Sequence, residues 1–458
     1  MGRIRDKYFG SRAFYASALA IALPIAVQNC FTNFVNLLDN VMVGQMGTLE
    51  MSGVSISNQL LFVCNLCIFG TVSGGGIFCS QFFGKEDDEG IRNTIRFKLL
   101  LGAAIITTSI LIFIFLGREL IALFLSGEKD QASVRVTLEQ GYSYLRIMTL
   151  GIPGFLLSQV YASTLREGGE TMLPMRSGIV AILTNLGLNY LLIFGHFGFP
   201  RLGVDGAAIA TVISRYVEAG IIIVKSGRFP FFRGLYRTLL IPFPLFRRIF
   251  RAAIPLMLNE TFWSLAMSAL VQCYSTRGIN AVAGYNIANT IIQVANSAFL
   301  AIGSSIGIII GNLLGAGKGE EAVSTDRKLI VFSMMVGAAT GALLLLISEV
   351  FPLLYNTSHE ARRIAAELIM IQGLFLPLFA LRNASYFTLR SGGKIMITIL
   401  TDSLFMWMVP VPLAFALSRF TSLPVPALFA IVQSSYIFNC IVGVVLIKRR
   451  VWVRNIVA

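Results

Sequence analysis

The residues of this chain that could do chemistry are polar side chains that lie inside long apolar segments. One set combines a carboxylate, two amides and a hydroxyl: Asp39, Asn185, Asn189 and Thr211. Oxygen atoms of these kinds are the ligands that hard cations prefer. A carboxylate in the interior of a membrane protein can also load and release a proton. The residue types therefore predict a site for Na⁺ or H⁺, and we expect no other cofactor.

Two further groups of polar residues also fall inside apolar segments. The first group has a 4-3-4 spacing, which is one helical face: Asn29, Asn33, Asn36 and Asn40. Such a face must look towards other helices or a water-filled cavity, because a polar side chain in lipid is costly. Interhelical hydrogen bonds would account for one or two of these asparagines. The second group is charged and lies in the second half of the chain: Glu260, Arg382 and Asp402. We interpret the second group, with Asn33 and Asn36, as lining a substrate cavity in which Arg382 pairs with either acid.

The segments that position these residues are long enough to cross a membrane. Of 458 residues, 55% are hydrophobic and only 13% are charged, whereas a soluble domain has about 25% charged residues. Stretches of about 20 apolar residues span the hydrocarbon core as helices. The sequence thus predicts an all-α polytopic membrane protein with twelve spans: 14–44, 52–82, 94–117, 137–163, 172–195, 204–225, 252–275, 283–311, 328–352, 364–388, 395–417 and 425–447.

The chain also repeats itself. The matching segments are Leu23-Pro24 with Ile254-Pro255, Gln81–Gly84 with Asn312–Gly315, and Leu165–Gly169 with Leu389–Gly393. Two similar apolar halves are typical of secondary transporters and predict two pseudo-symmetric six-helix bundles. We assign residues 1–225 to the first bundle, 226–250 to a cytoplasmic linker and 251–458 to the second bundle. The linker can be read as a flexible tether or as an ordinary inside loop.

The predicted spans place the first set of polar residues at similar depths. Asp39, Asn189 and Thr211 lie about five to seven residues from the outer ends of their spans. At 1.5 Å per residue these three are about 8–11 Å below the outer face, and Asn185 is one helical turn deeper. In the second half, Glu260 lies near the predicted midplane. Asp402 lies about seven residues into its span, where the repeat aligns it with Asn185.

The basic residues indicate the orientation of the chain. The net charge is +14, and Lys and Arg cluster before the first span, in alternate loops and at the C-terminus. Basic loops on alternate sides follow the positive-inside rule, which puts both termini in the cytoplasm of a multi-pass plasma-membrane protein. The same charge suits membrane lipid as a partner rather than nucleic acid, because it lies in short loops beside apolar spans.

The sequence offers no pattern for enzymatic chemistry. The only histidines, His196 and His359, both lie outside the predicted spans, so a core zinc or catalytic histidine site is excluded. Cys64 and Cys67 have the spacing of a metal or redox pair, but they lie within a span, where a packed cysteine is the simpler interpretation. Gly74–Gly76 also lies within a span, which indicates close helix packing rather than phosphate binding. We therefore predict no catalytic residues and no enzyme.

Seven segments of the chain resemble the multidrug and toxic compound extrusion (MATE) family of bacterial transporters. They are Leu37–Gly47, Gln81–Asp87, Leu165–Pro174, Asn185–Gly195, Gly203–Ser214, Ile254–Glu260 and Thr388–Lys394. The resemblance implies two six-helix lobes around a central cavity and drug efflux driven by Na⁺ or H⁺. It also implies a first-lobe cation site formed by Asp39, Asn185, Asn189 and Thr211. Glu260 matches an acid of one branch of the family. A second acid of that branch is missing near Phe379, unless Asp402 replaces it.

The leading hypothesis is therefore a monomeric antiporter that exports small organic, often cationic, compounds in exchange for Na⁺ or H⁺. A flippase for lipid-linked saccharide precursors, from the same wider superfamily, is the first alternative and would favour a basic cavity. A polytopic membrane enzyme is the second alternative and would need a catalytic cluster that the sequence lacks. The amide ligands favour Na⁺ slightly, although they could equally hydrogen-bond to a protonated Asp39.

Overall fold

The computed structural model of the protein describes residues 7–125 and 130–458, without the side chains of residues 36, 37, 40, 41, 44 and 48. Within these ranges the fold is all-α, as the sequence predicts, and no strand occurs. From Arg12 onward the described residues form sixteen helices: α1 Arg12–Gly44, α2 Thr48–Lys85, α3 Asp88–Phe124, α4 Gln131–Thr149, α5 Ile152–Glu167, α6 Met172–Phe194, α7 Val204–Ser226, α8 Phe243–Ser275, α9 Ile279–Gly315, α10 Gly319–Ile347, α11 His359–Ser391, α12 Ile395–Thr401, α13 Ser403–Met408, α14 Pro410–Phe420, α15 Val425–Ser434 and α16 Tyr436–Lys448.

The number of membrane spans agrees with the sequence prediction. Eleven helical stretches among the described residues are long and apolar enough to cross a membrane. Helices α4 and α5, bent by 46° where they meet, together form a twelfth. Helices α12–α14 combine into one span, and α15 and α16 into another. The chain is therefore a twelve-span, multi-pass membrane protein.

Two prolines at equivalent positions of the repeat behave differently. Pro153 follows the bend between α4 and α5, whereas Pro377 lies inside α11, which runs unbroken from His359 to Ser391. Pro153 is in the first turn of α5, where the backbone N–H has no acceptor within the helix, whereas Pro377 removes a hydrogen bond inside α11. Gly151 and Gly154 flank Pro153 and permit a sharp break, whereas Pro377 lies between two leucines.

Contacts divide the chain into two compact units. The N-terminal unit comprises Val27–Cys79 and Asp88–Met257, and the C-terminal unit comprises the chain up to Ala26, Ser80–Asp87 and Leu258–Ala458. Three of the four boundaries fall inside helices, namely α1, α2 and α8, and the fourth lies between α2 and α3. The lobes 1–225 and 251–458, joined by a linker, stay a prediction about how the chain is organised.

Helix α3 begins earlier than the sequence predicted, at Asp88 rather than at residue 94. Arg96 and Lys98, which the predicted span already contained, are buried in this helix. Arg96 donates to the backbone carbonyl of Leu235 at 3.0 Å, and its other donors contact Glu89 and Asn93. Neither residue is a free loop charge.

The connection between α7 and α8 is packed rather than extended. It contains two short 3₁₀ turns, Pro230–Phe232 and Leu235–Arg237. Phe232 and Leu235 are buried, and the Phe232 ring stacks on Tyr161 with centroids 4.7 Å apart. The last predicted linker residues, from Phe243, already form the first turns of α8. The residues of these turns pack within the N-terminal unit, and the role of the segment as a tether or an ordinary loop stays a prediction.

Candidate cation and substrate sites

Helices α6 and α7 form the frame of the first candidate site. Helix α6 ends at Gly195, whose left-handed backbone (φ 75°) suits glycine and turns the chain back towards α7. A side chain at Gly206 would collide with the backbone of Leu192, so glycine lets the two helices approach closely. Asn185 and Asn189 are one turn apart on α6 and face Thr211 on α7. The site lies within the N-terminal unit.

A chain of hydrogen bonds connects the four predicted ligands. Asn189 Nδ2 donates to Asp39 Oδ1 at 2.7 Å and to Asn185 Oδ1 at 3.2 Å. Asn185 Nδ2 donates to Thr211 Oγ1 at 3.2 Å, and Thr211 in turn donates to the Ala207 carbonyl at 3.0 Å. The structure thus brings together residues from three helices that are up to 172 positions apart, Asp39 and Thr211 being the outermost.

In this arrangement a side-chain amide oxygen, which can only accept hydrogen bonds, faces the carboxylate oxygens of Asp39. Asn185 Oδ1 lies 3.1 and 3.2 Å from the two carboxylate oxygens of Asp39. Turning the Asn185 amide by 180° would let its nitrogen donate to Asp39, but that nitrogen would then lie 3.2 Å from Asn189 Nδ2, donor against donor. Thr211, with a single proton, would also have to release Ala207 to donate to Asn185. Neither orientation of the amide satisfies every group.

A proton or a monovalent cation would resolve this conflict. Asn185 and Asn189 are buried, with exposed fractions of 6% and 2%, and Asn189 Oδ1 has no hydrogen-bond partner among the described side chains. Buried polar atoms without partners are uncommon and call for a specific explanation. The residues present therefore fit a positive charge held between the Asp39 carboxylate and the amide oxygens. That these four residues form a coupling site stays a prediction.

Two asparagines of α1 were also predicted to line a cavity. Asn33 is partly buried in α1. Asn36 belongs to the same helix, but its side chain lies outside the described part of the protein, as does that of Asn40. Their role in a cavity stays a prediction.

In the second half, Asp402 stands at a break in a membrane span. Its backbone (φ −112°, ψ −92°) leaves the helical region between α12 and α13, and a second break follows at Val409. The break exposes backbone groups that must be paired in a membrane. Asn439 pairs one of them by donating to the Thr401 carbonyl at 2.5 Å. Discontinuous spans of this kind commonly form binding sites in transporters.

Asn259 joins Asp402 to the helix after the break. Its Nδ2 donates to Asp402 Oδ2 at 2.9 Å, and its Oδ1 accepts from the backbone N–H of Ser403 at 3.4 Å. Arg382 Nη2 lies 3.9 Å from Asp402 Oδ1. Of the two acids offered as partners for Arg382, the structure therefore places Asp402 beside it, although beyond hydrogen-bond distance.

Glu260 has different neighbours. It accepts from the Tyr386 hydroxyl at 3.4 Å, and Arg390 Nη1 donates to the same hydroxyl at 3.1 Å. The sequence-predicted set of the second half is thus divided between two neighbouring clusters, Asp402 with Arg382 and Glu260 with Tyr386.

Sequence reasoning missed two buried charged sites. Lys98 and Glu167 form an ion pair of 2.7 Å with side-chain exposures of 0% and 10%. A side chain at Gly75 would crowd Lys98, and one at Gly76 would crowd Glu167, so the glycine triplet does provide packing space. Lys98 lies inside the predicted third span, and its partner is 69 residues away.

Asp326 is the other missed residue. It is 1% exposed in α10, its Oδ1 accepts from Thr388 Oγ1 at 2.5 Å, and its Oδ2 has no partner within the described ranges. The predicted span began at 328, so this carboxylate was read as part of a loop. The polar sequence that precedes it gave no signal that the helix is already buried there.

Both halves of the chain match one protein family. The MatE family model matches residues 24–191 and 253–416. Among curated relatives, a probable multidrug resistance protein NorM of Thermotoga maritima is 26% identical, covering 88% of this chain and 86% of its own length. A probable multidrug resistance protein YoeA of Bacillus subtilis is also 26% identical, with 89% of each chain covered.

Solved structures share the fold. A multidrug resistance MATE family transporter in an outward-facing conformation has a TM-score of 0.84 at 19% identity, with 95% of each chain covered. A MOP superfamily transporter from Pyrococcus furiosus has a TM-score of 0.84 at 20% identity, covering 98% of this chain and 97% of its own. The family match over both halves, together with this twelve-span fold, shows that the chain belongs to the MatE family of membrane transporters.

Proposed function

We propose that this protein is a secondary antiporter that exports organic, often cationic, compounds in exchange for Na⁺ or H⁺. Curated relatives that cover most of the chain are named multidrug resistance proteins, which supports export of drug-like small molecules. Substrate and ion would be coupled by alternating access, in which the two halves open in turn to either side of the membrane.

The cluster around Asp39 is the proposed coupling site. The observation that carries this proposal is the approach of the Asn185 side-chain amide to both Asp39 oxygens, at 3.1 and 3.2 Å, next to Asn189 Oδ1, which no described residue satisfies. Such a group of acceptors is stabilised when a positive charge or a proton joins it. Binding would therefore add favourable contacts in one state of the transport cycle, which is what coupling requires.

The direct test is transport in proteoliposomes under gradients imposed one at a time. A Na⁺ gradient at equal pH, and a pH gradient at equal Na⁺, should reveal which ion drives efflux of a fluorescent cationic dye. Asp39→Asn should abolish the gradient-driven component. Asp205→Asn makes the same change at a partly buried carboxylate near the start of α7 that accepts a hydrogen bond from Ser143 and stands outside the site, so it should retain transport.

The proposal fails if neither gradient drives the wild-type protein. It also fails if Asp39→Asn and Asp205→Asn transport equally well at equal reconstituted amounts. Energy-independent exchange of a fluorescent anionic lipid between the bilayer leaflets, without drug transport, would favour the flippase instead.

A further inference from the structure

The C-terminal unit contains a cavity of about 250 Å³. Its wall is made mainly of aromatic, aliphatic and amide side chains. Arg382 is its one charged lining residue, and no carboxylate lines it among the residues that the structure describes. Pockets for drug-sized ligands usually hold about 300–1,000 Å³. This cavity therefore suits a compact compound of one or two rings.

Arg382 is held at the wall with its charge only partly compensated. The guanidinium lies over the rings of Tyr436 and Phe379, at 4.9 and 5.9 Å from their centroids. The side chain is 21% exposed, and Nη1 has no hydrogen-bond partner in the part of the chain that the structure describes. The Asp402 carboxylate is 3.9 Å away and already accepts from Asn259 at 2.9 Å. A planar cation fixed in this way is ready to pair with a further carboxylate.

Aromatic rings cluster elsewhere on the same wall. The Tyr274 ring lies 5.6 Å from Tyr285 and 5.6 Å from Phe429, centroid to centroid. Ring pairs at such distances gain from edge and offset contacts, and a ligand ring can join them. The cavity thus offers a ring-lined region, several amide groups and one under-compensated cation.

We infer that this cavity binds small aromatic carboxylates, with the carboxylate paired to Arg382 and the ring packed against Tyr274, Tyr285 and Phe429. This inference rests on the proposed function, since it names a substrate class for the exporter. The cavity would thus select a different charge from the surroundings of Glu260, where the acidic side chain would favour a cation. Neutral amides and ammonium compounds of the same shape should bind less well, because they cannot accept charge-assisted hydrogen bonds from Arg382.

The test uses three ligands of one shape and different charge, namely 2-naphthoate, 2-naphthamide and 2-naphthylmethylammonium. Their equilibrium binding to the purified full-length protein is measured by isothermal titration calorimetry, without any ion gradient. We expect 2-naphthoate to bind about tenfold or more tightly than the amide, as is usual for a hydrogen bond to a charged group, and the ammonium to bind weakest. Equal affinities, or the reverse order, would overturn the inference.

Substitutions locate the effect. Arg382→Gln should remove the preference for 2-naphthoate, and Arg382→Lys should keep part of it. Arg419→Gln, the same change at an exposed residue of α14, should leave all three affinities unchanged.

Asp402→Asn should strengthen 2-naphthoate binding, because it removes the competing carboxylate beside Arg382. If 2-naphthoate binding to folded Asp402→Asn is weaker than to the wild type, the inference is wrong. Should Arg382→Gln fail to fold, the ligand series on the wild type and Asp402→Asn still decides.

The two proposals can fail separately. Tight 2-naphthoate binding without transport under any gradient would leave the inference standing and overturn the proposed antiport. If the protein exports dye under a gradient but binds the ammonium ligand more tightly than 2-naphthoate, the proposed antiport stands and the inference about aromatic carboxylates is wrong.

Discussion

Gly84 and Gly315 pack reciprocally at the ends of α2 and α9. A side chain on Gly84 would collide with the backbone of Asn312, and one on Gly315 would collide with the backbone of Gln81. Gln81 and Gly84 are the repeat equivalents of Asn312 and Gly315. The internal repeat of the sequence therefore reappears as one symmetric helix crossing, and glycine is required on both sides because backbone meets backbone.

The first prediction concerns this crossing. Gly84→Val should destabilise the protein by about 1–3 kcal/mol or prevent folding, because the extra methyl groups cannot be accommodated by a backbone neighbour. Thermal unfolding of the purified protein measures the effect. Gly220→Val is the matched control, since a side chain there meets nothing within 4 Å. It should change stability by less than about 1 kcal/mol. Equal losses at both positions would contradict the close crossing.

The second prediction concerns the buried ion pair of Lys98 and Glu167. Glu167→Gln leaves the ammonium group without its counter-charge and should cost about 3–5 kcal/mol. Glu139→Gln breaks an exposed ion pair, in which the Arg135 side chain is 81% exposed and the Glu139 side chain 50% exposed. This change should lower the free energy of unfolding by no more than about 1 kcal/mol. Replacing both members, as Lys98→Met with Glu167→Leu, should recover most of the loss. Thermal unfolding of each purified variant measures the loss of stability. A double variant as unstable as Glu167→Gln would show that the loss does not come from an unpaired buried charge.

The third prediction separates the hydroxyl of Thr211 from its shape. Thr211→Val removes the acceptor for Asn185 while keeping the branched side chain, and should weaken ion-driven efflux about tenfold. Thr211→Ser keeps the hydroxyl and should retain most activity. Initial rates of dye efflux in proteoliposomes, at several ion concentrations, provide the measurement. Similar ion dependence in both variants would remove Thr211 from the site.

The fourth prediction concerns Glu260. Glu260→Gln should lower export of cationic dyes about tenfold, because the carboxylate that would pair with them is lost. Export of neutral compounds should change far less, and their rates in the same vesicles are the control. Equal losses for both classes would indicate a role in coupling or structure, and no loss would leave Glu260 with a packing role.

Much of the fold follows from the composition and periodicity of the chain. Apolar length alone predicts the twelve spans, because only helices satisfy every backbone group in lipid. Helix ends are less predictable, since α3 continues through charged residues that find partners only in three dimensions. The break at Asp402 has no glycine or proline beside it. It depends on Asn259 and Asn439, whose contacts lie 143 and 38 residues away.

The candidate cation site was predictable to a similar extent. One carboxylate, two amides and a hydroxyl inside apolar spans are costly in lipid, and this cost marks them as a group. The sequence does not show that the Asn185 amide lies beside both oxygens of Asp39, within a site framed by the close approach of α6 and α7 at Gly206. Asp326 was missed since a single acid next to a predicted loop carries no such cost.

The most direct test of the central claim, that the Asp39 cluster binds a coupling cation, is thermal unfolding of purified protein at constant pH. Na⁺ should raise the unfolding temperature of the wild type in a concentration-dependent way. At a hundredfold excess of Na⁺ over the dissociation constant, the free energy of unfolding should rise by about 2.7 kcal/mol. K⁺ at equal ionic strength should not, and Asp39→Asn should abolish the effect. If Na⁺ and K⁺ act alike while acidification stabilises only the wild type, the ion is H⁺. If Na⁺, K⁺ and pH shift the wild type and Asp39→Asn equally, the cluster binds no cation and the account is contradicted.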